Sequence, residues 1–444
     1  MKTLTTGSPT TVIVRFTLPI FIGNILQQLY QTVDNMIVGQ FVGADAFAAI
    51  GATYGLFFLL SGFIWGTTTG FTVLTAQTYG AGDLAATRRS IGTAAVLSAV
   101  LVLLVSGVSV AAMPLIFRLI RMPAELYADA YSYMTIICIG LAAQVFYNLT
   151  AGVLRAVGNS KIPLYFLIVA SVLNIGLDLL FILPFGWGVA GAAWATVLAQ
   201  GVSGVLCFVY IWRRYPVLRL TKSDFVWHKE YAKKELSVGV PMALQYAITS
   251  VGMLMIQTAV NHLGTTAITA YSVGNKIEVI LEQGPIAIGS AMATYTAQNR
   301  GAGEWGRVRQ GVRSALGVML VYAAVFGTLT AMLGKHLTHL FLSENVAMVI
   351  GDVDVFLKIV SATIFLLGVL CVYRNCVQGL GYGTISMLGG VVELLARGAV
   401  AVAAIGFGEF WVACTGYPIA WLSASVLFVI VYAVVIRRKF SQMC

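Results

Sequence analysis

The chain has 444 residues, of which 59% are hydrophobic and only 10% are charged. A soluble domain carries about 25% charged residues, so this composition excludes an ordinary soluble protein and indicates one that lies mostly in lipid. The formal net charge of +10 alone would suit a nucleic-acid partner as well, and the positions of the basic residues decide between the two.

Twelve stretches of the chain are long and apolar enough to cross a bilayer. A spanning helix needs about 20 mainly apolar residues, and continuous apolar runs favour helices over the alternating segments of a β-barrel. The stretches are 12–38, 47–75, 90–113, 128–154, 162–183, 189–212, 236–261, 267–297, 311–333, 355–378, 384–407 and 411–436. The first is too long for a cleavable signal peptide, so we expect it to be a retained helix.

The second half of the chain nearly repeats the first. Residues 75–83, TAQTYGAGD, return as residues 296–304, TAQNRGAGE, an offset of 221 residues. Such self-similarity indicates a duplicated unit, and Gly82 and Gly303 are expected to end helices by adopting a left-handed backbone.

The duplication and the helix count together predict the fold class. Six helices in each half let both halves enter the membrane from the same side, which makes the repeats parallel. We therefore predict an all-α integral membrane protein of twelve transmembrane helices, in two six-helix bundles related by a pseudo-two-fold axis normal to the membrane. The predicted domains are an amino-terminal lobe, 1–212, a cytoplasmic linker, 213–235, and a carboxy-terminal lobe, 236–444.

The basic residues predict the orientation. If both termini lie on one side, most of the 27 Lys and Arg residues fall there, including Arg88, Arg309 and the cluster in segment 213–234, while Arg118 and Arg121 lie near the opposite loops. The positive-inside rule makes the richer side cytoplasmic. The basicity therefore predicts a multi-pass membrane protein with both termini cytoplasmic. Its expected partner is the lipid bilayer and not nucleic acid.

No sequence motif points to an enzyme, a cofactor or a metal centre. The six cysteines lie in or beside predicted helices without a CxxC pair, and His336 and His339 lack a third ligand. Phosphate-binding GxxxxGK[ST], HExxH and GxSxG patterns do not occur in the sequence. We expect neither ATP-driven nor hydrolytic chemistry.

Two acids fall inside predicted helices of the first half. An ionisable residue in a membrane helix costs about 2.5 kcal/mol or more and is by default a functional candidate. Asp34 lies four residues before the end of the first stretch and Asp178 five before the end of the fifth, which places both roughly 6–8 Å below one face. Asn174 lies one turn from Asp178, and Thr196 lies at a similar depth.

These four oxygen-bearing side chains predict a cation site. Burial and like charge both disfavour a doubly ionised pair, so the two acids are suited to hold a proton near neutral pH, and oxygen ligands equally suit Na⁺. The alternative is that each acid reaches the nearby surface or caps a helix end.

The second half lacks a copy of this arrangement, because Gln257 stands where Asp34 would recur. Its charges form a separate group that is expected to be a mutually neutralising network, or alternatively a substrate-contacting or second ion site. The members of this group are Lys276, Glu278, Glu282, Glu393 and Arg397. The polar residues expected to face a central cleft are Gln27, Gln28, Tyr30, Gln31, Gln245 and Tyr246, together with Glu278 and Glu282, since lipid contact would leave the amides unsatisfied.

As a set, these features resemble the multidrug and toxic compound extrusion (MATE) family. The resemblance covers residues 10–440 and rests on Pro19 followed by Asp34, on Asn174-x-x-x-Asp178, and on the repeated Ala-Gln-x-x-Gly-Ala-Gly segments. It looks closest to the bacterial DNA-damage-inducible (DinF-like) branch.

The resemblance implies two six-helix lobes around a cavity and export of cationic or amphipathic organic compounds in exchange for H⁺ or Na⁺. Residue by residue, it assigns Asp34, Asn174, Asp178 and Thr196 to the amino-lobe cation site and Pro19 to a bend in the first helix. The absence of an acid at Gln257 puts a carboxy-lobe Na⁺ site in doubt.

Two other functions stay open on the sequence. A flippase for lipid-linked precursors occurs in the same superfamily, but such proteins often have a strongly cationic cavity, whereas Asp34 and Asp178 favour cationic or neutral cargo. A channel would not need a buried acid pair with a kinked helix. We expect a monomer.

Overall fold

The computed structural model describes residues 4–341 and 346–441, without the side chains of 335, 340, 341 and 437–441. Every regular element in these residues is helical. The helices of the first half are α1 (Pro9–Phe41), α2 (Ala44–Gly80), α3 (Leu84–Leu119), α4 (Ala124–Ala156), α5 (Lys161–Ile182) and α6 (Gly188–Arg214). Those of the second half are α7 (Lys229–His262), α8 (Thr265–Gly301), α9 (Trp305–Tyr322), α10 (Thr328–Phe341), α11 (Val346–Gly379), α12 (Gly383–Phe407), α13 (Phe410–Cys414) and α14 (Gly416–Ser441).

The helices confirm the prediction of an all-α membrane protein. Among the described residues, eleven helical stretches are long and apolar enough to span a bilayer, counting α9 with α10 and α13 with α14 as single spans. A π-helical turn, Ala323–Gly327, joins α9 to α10. The one predicted span that is not among these eleven is α8. It is as long as α2, with 37 residues. Three charged residues in its middle, Lys276, Glu278 and Glu282, lower its apolar character.

The repeat is visible in helix ends as well as in sequence. Gly43 precedes α2 and Gly264 precedes α8, and both have positive φ, 131° and 98°. After these helices, Gly82 and Gly303 share a φ of 77°, a backbone that an L-residue rarely adopts. The predicted helix-ending role of Gly82 and Gly303 therefore matches their backbone.

The described residues divide into two compact units. Unit 1 contains residues 22–239, and unit 2 contains residues 4–21 and 240–441. Among the eleven spans, the most apolar stretches of α4 and α11 are the most enclosed, with 56% of each buried. In unit 1, α4 packs on α2 and α6, and in unit 2, α11 packs on α8 and α14.

The unit boundaries fall inside α1 and α7, next to a proline in each. Residues of α1 up to Phe21 pack in unit 2 and those from Ile22 pack in unit 1, while α7 passes from unit 1 to unit 2 between Gly239 and Val240. Pro19 and Pro241 lie within two residues of these boundaries and inside continuous helices. Each proline removes one backbone hydrogen bond, so both helices are weakened where they change unit.

The segment between α6 and α7 belongs to unit 1 and packs on α3. Arg88 of α3 donates from Nη1 to the Val217 carbonyl oxygen at 3.1 Å, and its Nε lies 3.8 Å from Asp224 Oδ2. Burial alone raises the pKa of Asp224, but hydrogen bonds from the Thr221 N–H and hydroxyl, with two nearby arginines, bring that pKa below its usual range. The lobe bounds 1–212, 213–235 and 236–444 stay a prediction.

Candidate functional site

The side chains of Asp34 and Asp178 face one another inside unit 1. Asp34 comes from α1 and Asp178 from α5. Ala170, Asn174 and Asp178 are buried at four-residue spacing on α5, which places them on one face of that helix. Asn174 is 2% exposed and Asp178 is fully buried. The structure thus brings these two carboxyl groups together, and Asp34 with Asp178 is called the acid pair below.

The polar atoms of this site are mostly without hydrogen-bond partners among the described residues. They are Asp34 Oδ1, Asn174 Nδ2 and Oδ1, and both carboxylate oxygens of Asp178. A buried polar atom left unpaired costs about 1–3 kcal/mol, so such a concentration calls for a physical explanation. A shared proton or a cation held by oxygens supplies what these atoms lack. The donor set therefore fits H⁺ or Na⁺.

A narrow cavity adjoins the acid pair. Its lining includes Tyr30, Asn174, Thr196 and Gln200. Space for the centre of a water molecule amounts to about 20 Å³, which fits one or two waters. The cavity in this state has room for an ion with its water, and not for a drug-sized molecule.

Tyr30 connects this cavity to the acid pair. Its hydroxyl lies within hydrogen-bonding reach of Gln200 and Gln27 and within electrostatic range of Asp34. Gln27 is exposed, and Gln28 and Gln31 are half-buried on the same helix. The structure therefore brings Tyr30 and Gln27 to the acid-pair region.

Three residues beside the site were not predicted from the sequence. They are Gln200 and Tyr147, which line the cavity, and Tyr133, which is buried and near both carboxyl groups of the acid pair. Gln200 lies one turn after Thr196, and an amide in an apolar helix is a readable signal. Tyr133 and Tyr147 carry no such signal, because the sequence does not show which neighbouring helix a tyrosine side chain contacts.

A separate charge cluster lies in unit 2, centred on Glu393. Arg374 Nη1 lies 3.5 Å from Glu393 Oε1, and Arg397 Nη2 lies 3.2 Å from Glu393 Oε2. The Glu393 and Arg397 side chains are only 3% and 2% exposed. Arg397 also lies over the Tyr417 ring, 5.5 Å from its centroid. Arg374 was not among the residues predicted for the network, and the structure adds it.

Two further glutamates belong to the unit 2 charge cluster, which we define as Glu278, Glu282, Arg374, Glu393 and Arg397. Glu282 lies within electrostatic range of both arginines. Glu278 is 2% exposed, and neither of its oxygens has a hydrogen-bond partner among the described residues. Three carboxyl groups thus face two guanidinium groups. Lys276, predicted for the same network, is on the exposed side of α8.

The predicted cleft residues of α7 make contacts inside unit 2. Gln378 Nε2 donates to Gln245 Oε1 at 3.2 Å, and Gln245 is 2% exposed. Tyr246 lies near Arg374 and Glu393. The Gln245 contact is an interhelical bond that satisfies a buried amide, which explains its presence in an apolar helix without a substrate.

The family comparison matches both halves of the chain. The MatE family model covers residues 19–180 and again residues 241–402. Its second copy begins at Pro241 as the first begins at Pro19. This double match is what a duplicated chain should give.

Individual relatives agree with the family model. The chain is 30% identical to the "Probable multidrug resistance protein YpnP" of Bacillus subtilis, over 85% of this chain and 84% of that protein. It is also 30% identical to the "Probable multidrug resistance protein YoeA" of the same organism, over 76% and 74% of the two chains. A solved structure described as the "Outward-facing conformation of a multidrug resistance MATE family transporter of the MOP superfamily" shares the fold, with a TM-score of 0.92 at 22% identity over 99% of both chains. This chain therefore belongs to the MatE family, and it is a multi-pass membrane transporter and not an enzyme.

Proposed function

We propose that this protein is a secondary active exporter. It couples influx of H⁺ or Na⁺ to efflux of cationic or amphipathic organic compounds by alternating access. The names of its relatives support the cargo class, and the acid pair supports the coupling. The single observation that carries the coupling is the pair of carboxyl groups, with Asp178 fully buried and Asp34 half-buried, on which no cation of the described residues acts.

The coupling ion binds between α1 and α5 in this proposal. Asp34 and Asp178 provide the charge, while Asn174 and Thr196 provide neutral oxygens. Two carboxylates in a low-dielectric site repel one another, so a proton or Na⁺ stabilises the packed arrangement. Loss of the ion restores that repulsion and changes the balance between alternative packings of α1.

Pro19 serves as the flexible point of α1 in this mechanism. It lies fifteen residues before Asp34 and two before the point at which α1 changes unit. An ion can bias a helix between two shapes only if it binds them with different affinity. Ion binding at the acid pair is therefore proposed to shift α1 between straight and bent forms and so to change drug affinity.

The alternative function, a flippase for lipid-linked precursors, fits the charges less well. A pyrophosphate headgroup needs unpaired cations, and unit 1 offers acids at its buried site. In unit 2, Arg374 and Arg397 are both engaged with Glu393. The proposed cargo is therefore cationic or neutral.

The proposed setting is a bacterial inner membrane, with both termini in the cytoplasm and the protein acting as a monomer. Most of the 27 basic residues lie on the side assigned to the cytoplasm, as the positive-inside rule requires. No organic cofactor and no nucleic acid take part in this proposal, and lipid, ion and cargo are its partners.

Ethidium efflux from membrane vesicles tests the proposal. Wild-type vesicles should export ethidium under an imposed pH or Na⁺ gradient, and the effective gradient identifies the ion. Asp34→Asn should reduce this efflux to the level of vesicles without the protein. Asp45→Asn is the matched control, because Asp45 is an exposed aspartate on α2. Wild-type efflux that is indifferent to both gradients would remove ion coupling from the proposal.

A further inference from the structure

Unit 1 buries another acid, Glu235, which is remote in sequence from the acid pair. Glu235 lies six residues after the start of α7 and is fully buried. The surrounding residues of α7 pack on α2 and α3: Ala232 shares an apolar cluster with Phe71 and Ala94. A Cβ on Gly239 would meet Phe71 Cε1 at 2.7 Å. The first turns of α7 are therefore tightly held.

The Glu235 carboxyl group has one hydrogen-bonded oxygen. Ser90 Oγ of α3 donates to Glu235 Oε1 at 2.8 Å, and the Ser90 and Thr75 hydroxyl oxygens lie 2.9 Å apart. Glu235 Oε2 has no hydrogen-bond partner among the described residues. Two hydroxyl groups cannot neutralise a carboxylate, although they orient it.

The charged groups on the elements next to Glu235 either contact other residues or are exposed. On α3, Arg88 binds the Val217 carbonyl oxygen and lies near Asp224, and Arg89 is exposed. On α4, Arg155 lies near Tyr147 and Cys207. On α7 itself, Lys229, Lys233 and Lys234 are exposed, and the half-buried His228 just before α7 lies beside Tyr231, with 5.8 Å between the ring centroids. No cation in the described chain acts on the Glu235 carboxyl group.

A carboxylate buried without a cation carries a large desolvation penalty, and the group avoids this penalty by taking up a proton. We propose that Glu235 is a proton-binding site, distinct from the acid pair, and that its proton is required for the first turns of α7 to stay packed on α2 and α3. Neutral Glu235 fits the apolar surroundings and keeps its bond from Ser90. Ionised Glu235 is stable only when water reaches it, which requires these turns to separate from α2 and α3.

The proposal fixes the sign of the pH dependence. The packed form holds one proton more than the separated form at neutral pH, because a solvated glutamic acid ionises near pH 4.3. Acid therefore favours packing and alkali favours separation. One linked proton changes the equilibrium by about tenfold per pH unit. This dependence does not rest on transport, so it holds whether or not the protein is an ion-coupled exporter.

Hydrogen–deuterium exchange of the whole protein in lipid nanodiscs tests the site without an activity assay. Peptides covering residues 229–239 should lose protection in the wild type as pH rises, by about tenfold per unit once intrinsic exchange is subtracted. Glu235→Gln, which mimics the protonated form, should keep its protection at every pH. Glu230→Gln is the matched control, since Glu230 is exposed in the first turn of the same helix.

A second variant keeps the test decisive if Glu235→Gln folds poorly. Ser90→Ala removes the bond donated to Glu235, and that bond favours the ionised form more than the neutral one. The loss of protection should then shift to higher pH. The same pH dependence in Glu235→Gln as in the wild type, or pH-independent protection in the wild type, would overturn the proposal.

Discussion

In unit 1 the acid pair has no cation of the described residues acting on it, whereas in unit 2 two guanidinium groups lie among three glutamates. Both sets of acids lie on long, mostly apolar helices of a duplicated chain. In unit 2 the central Glu393 is bridged from both sides and is satisfied by fixed protein charges. The acid pair of unit 1 has no such partner among the described residues. In the proposed mechanism a proton or Na⁺ that binds and is released takes the place of that fixed charge.

The difference shows how duplicated units can divide their roles. A fixed guanidinium stabilises a buried carboxylate permanently, which suits a structural element and prevents exchange with an ion. A mobile proton or Na⁺ stabilises it conditionally, which suits coupling. On this reasoning, replacements in unit 1 should change ion dependence, and replacements in unit 2 should change stability.

The largest expected effect is in the acid pair. Asp34→Asn and Asp178→Asn should each reduce gradient-driven efflux to background while the purified protein stays folded, because interacting carboxyl groups bind the ion as one site. The double variant should then be little worse than either single one. Vesicle efflux together with size-exclusion behaviour checks both parts. Full gradient-driven transport by either single variant would remove the pair from the mechanism.

In unit 2 the corresponding replacement should affect stability. Glu393→Gln leaves two buried guanidinium groups without their shared partner, and breaking a buried ion pair in this way costs about 3–5 kcal/mol. Thermal unfolding in detergent should show a clear loss of stability, while efflux per folded molecule keeps its ion dependence. A stable variant that has lost its ion dependence would contradict the division of roles.

The two prolines offer a smaller and more specific comparison. Restoring the missing backbone bond with Pro19→Ala should favour a straight α1 by about 3 kcal/mol, or roughly a hundredfold in the ratio of bent to straight forms. Coupling should weaken more than expression or drug binding. Pro241→Ala is the matched control, because α7 carries Gln257 in place of an acid. Wild-type efflux and ion dependence in Pro19→Ala would assign coupling to movement of whole lobes.

The smallest effect is expected at Glu278. Its cluster sets two guanidinium groups against three acids, and Glu278 has Arg397 within electrostatic range but no hydrogen bond to either oxygen among the described residues. Glu278→Gln removes that excess charge, so stability should change by less than about 1 kcal/mol or rise slightly. Comparing the melting temperatures of Glu278→Gln, Glu393→Gln and the wild type measures this change in stability. A loss as large as that of Glu393→Gln would show that Glu278 is an ion-pair partner.

Much of the fold could be predicted from the sequence because hydropathy reports directly on contact with lipid. The apolar stretches locate the helices to within a few turns, although α2 continues to Gly80 where the prediction ended at residue 75. Helices extend past the apolar run because their polar ends keep the same backbone hydrogen bonds outside the hydrocarbon.

The acid pair was also predictable, since a buried aspartate is conspicuous in an apolar helix and depth can be counted along it. The neighbours of such residues were less predictable. Arg374 joins Glu393, and Tyr133 joins the acid pair, through the rotation of whole helices about their axes. Apolar residues surround these helices on nearly every side, so the sequence carries little information about rotation.

The placement of the beginnings of α1 and α7 has a practical consequence for dividing the gene. Each half of the chain begins with residues that pack in the unit built mostly from the other half. A cut after residue 212, at the end of the sixth predicted helix, would give a first fragment lacking Leu218 and Ala232, which are buried in unit 1. If the chain were instead expressed as two polypeptides divided after residue 239, the first would contain nearly all of unit 1. The second would contain most of unit 2 and would need residues 4–21 of the first polypeptide to complete its packing.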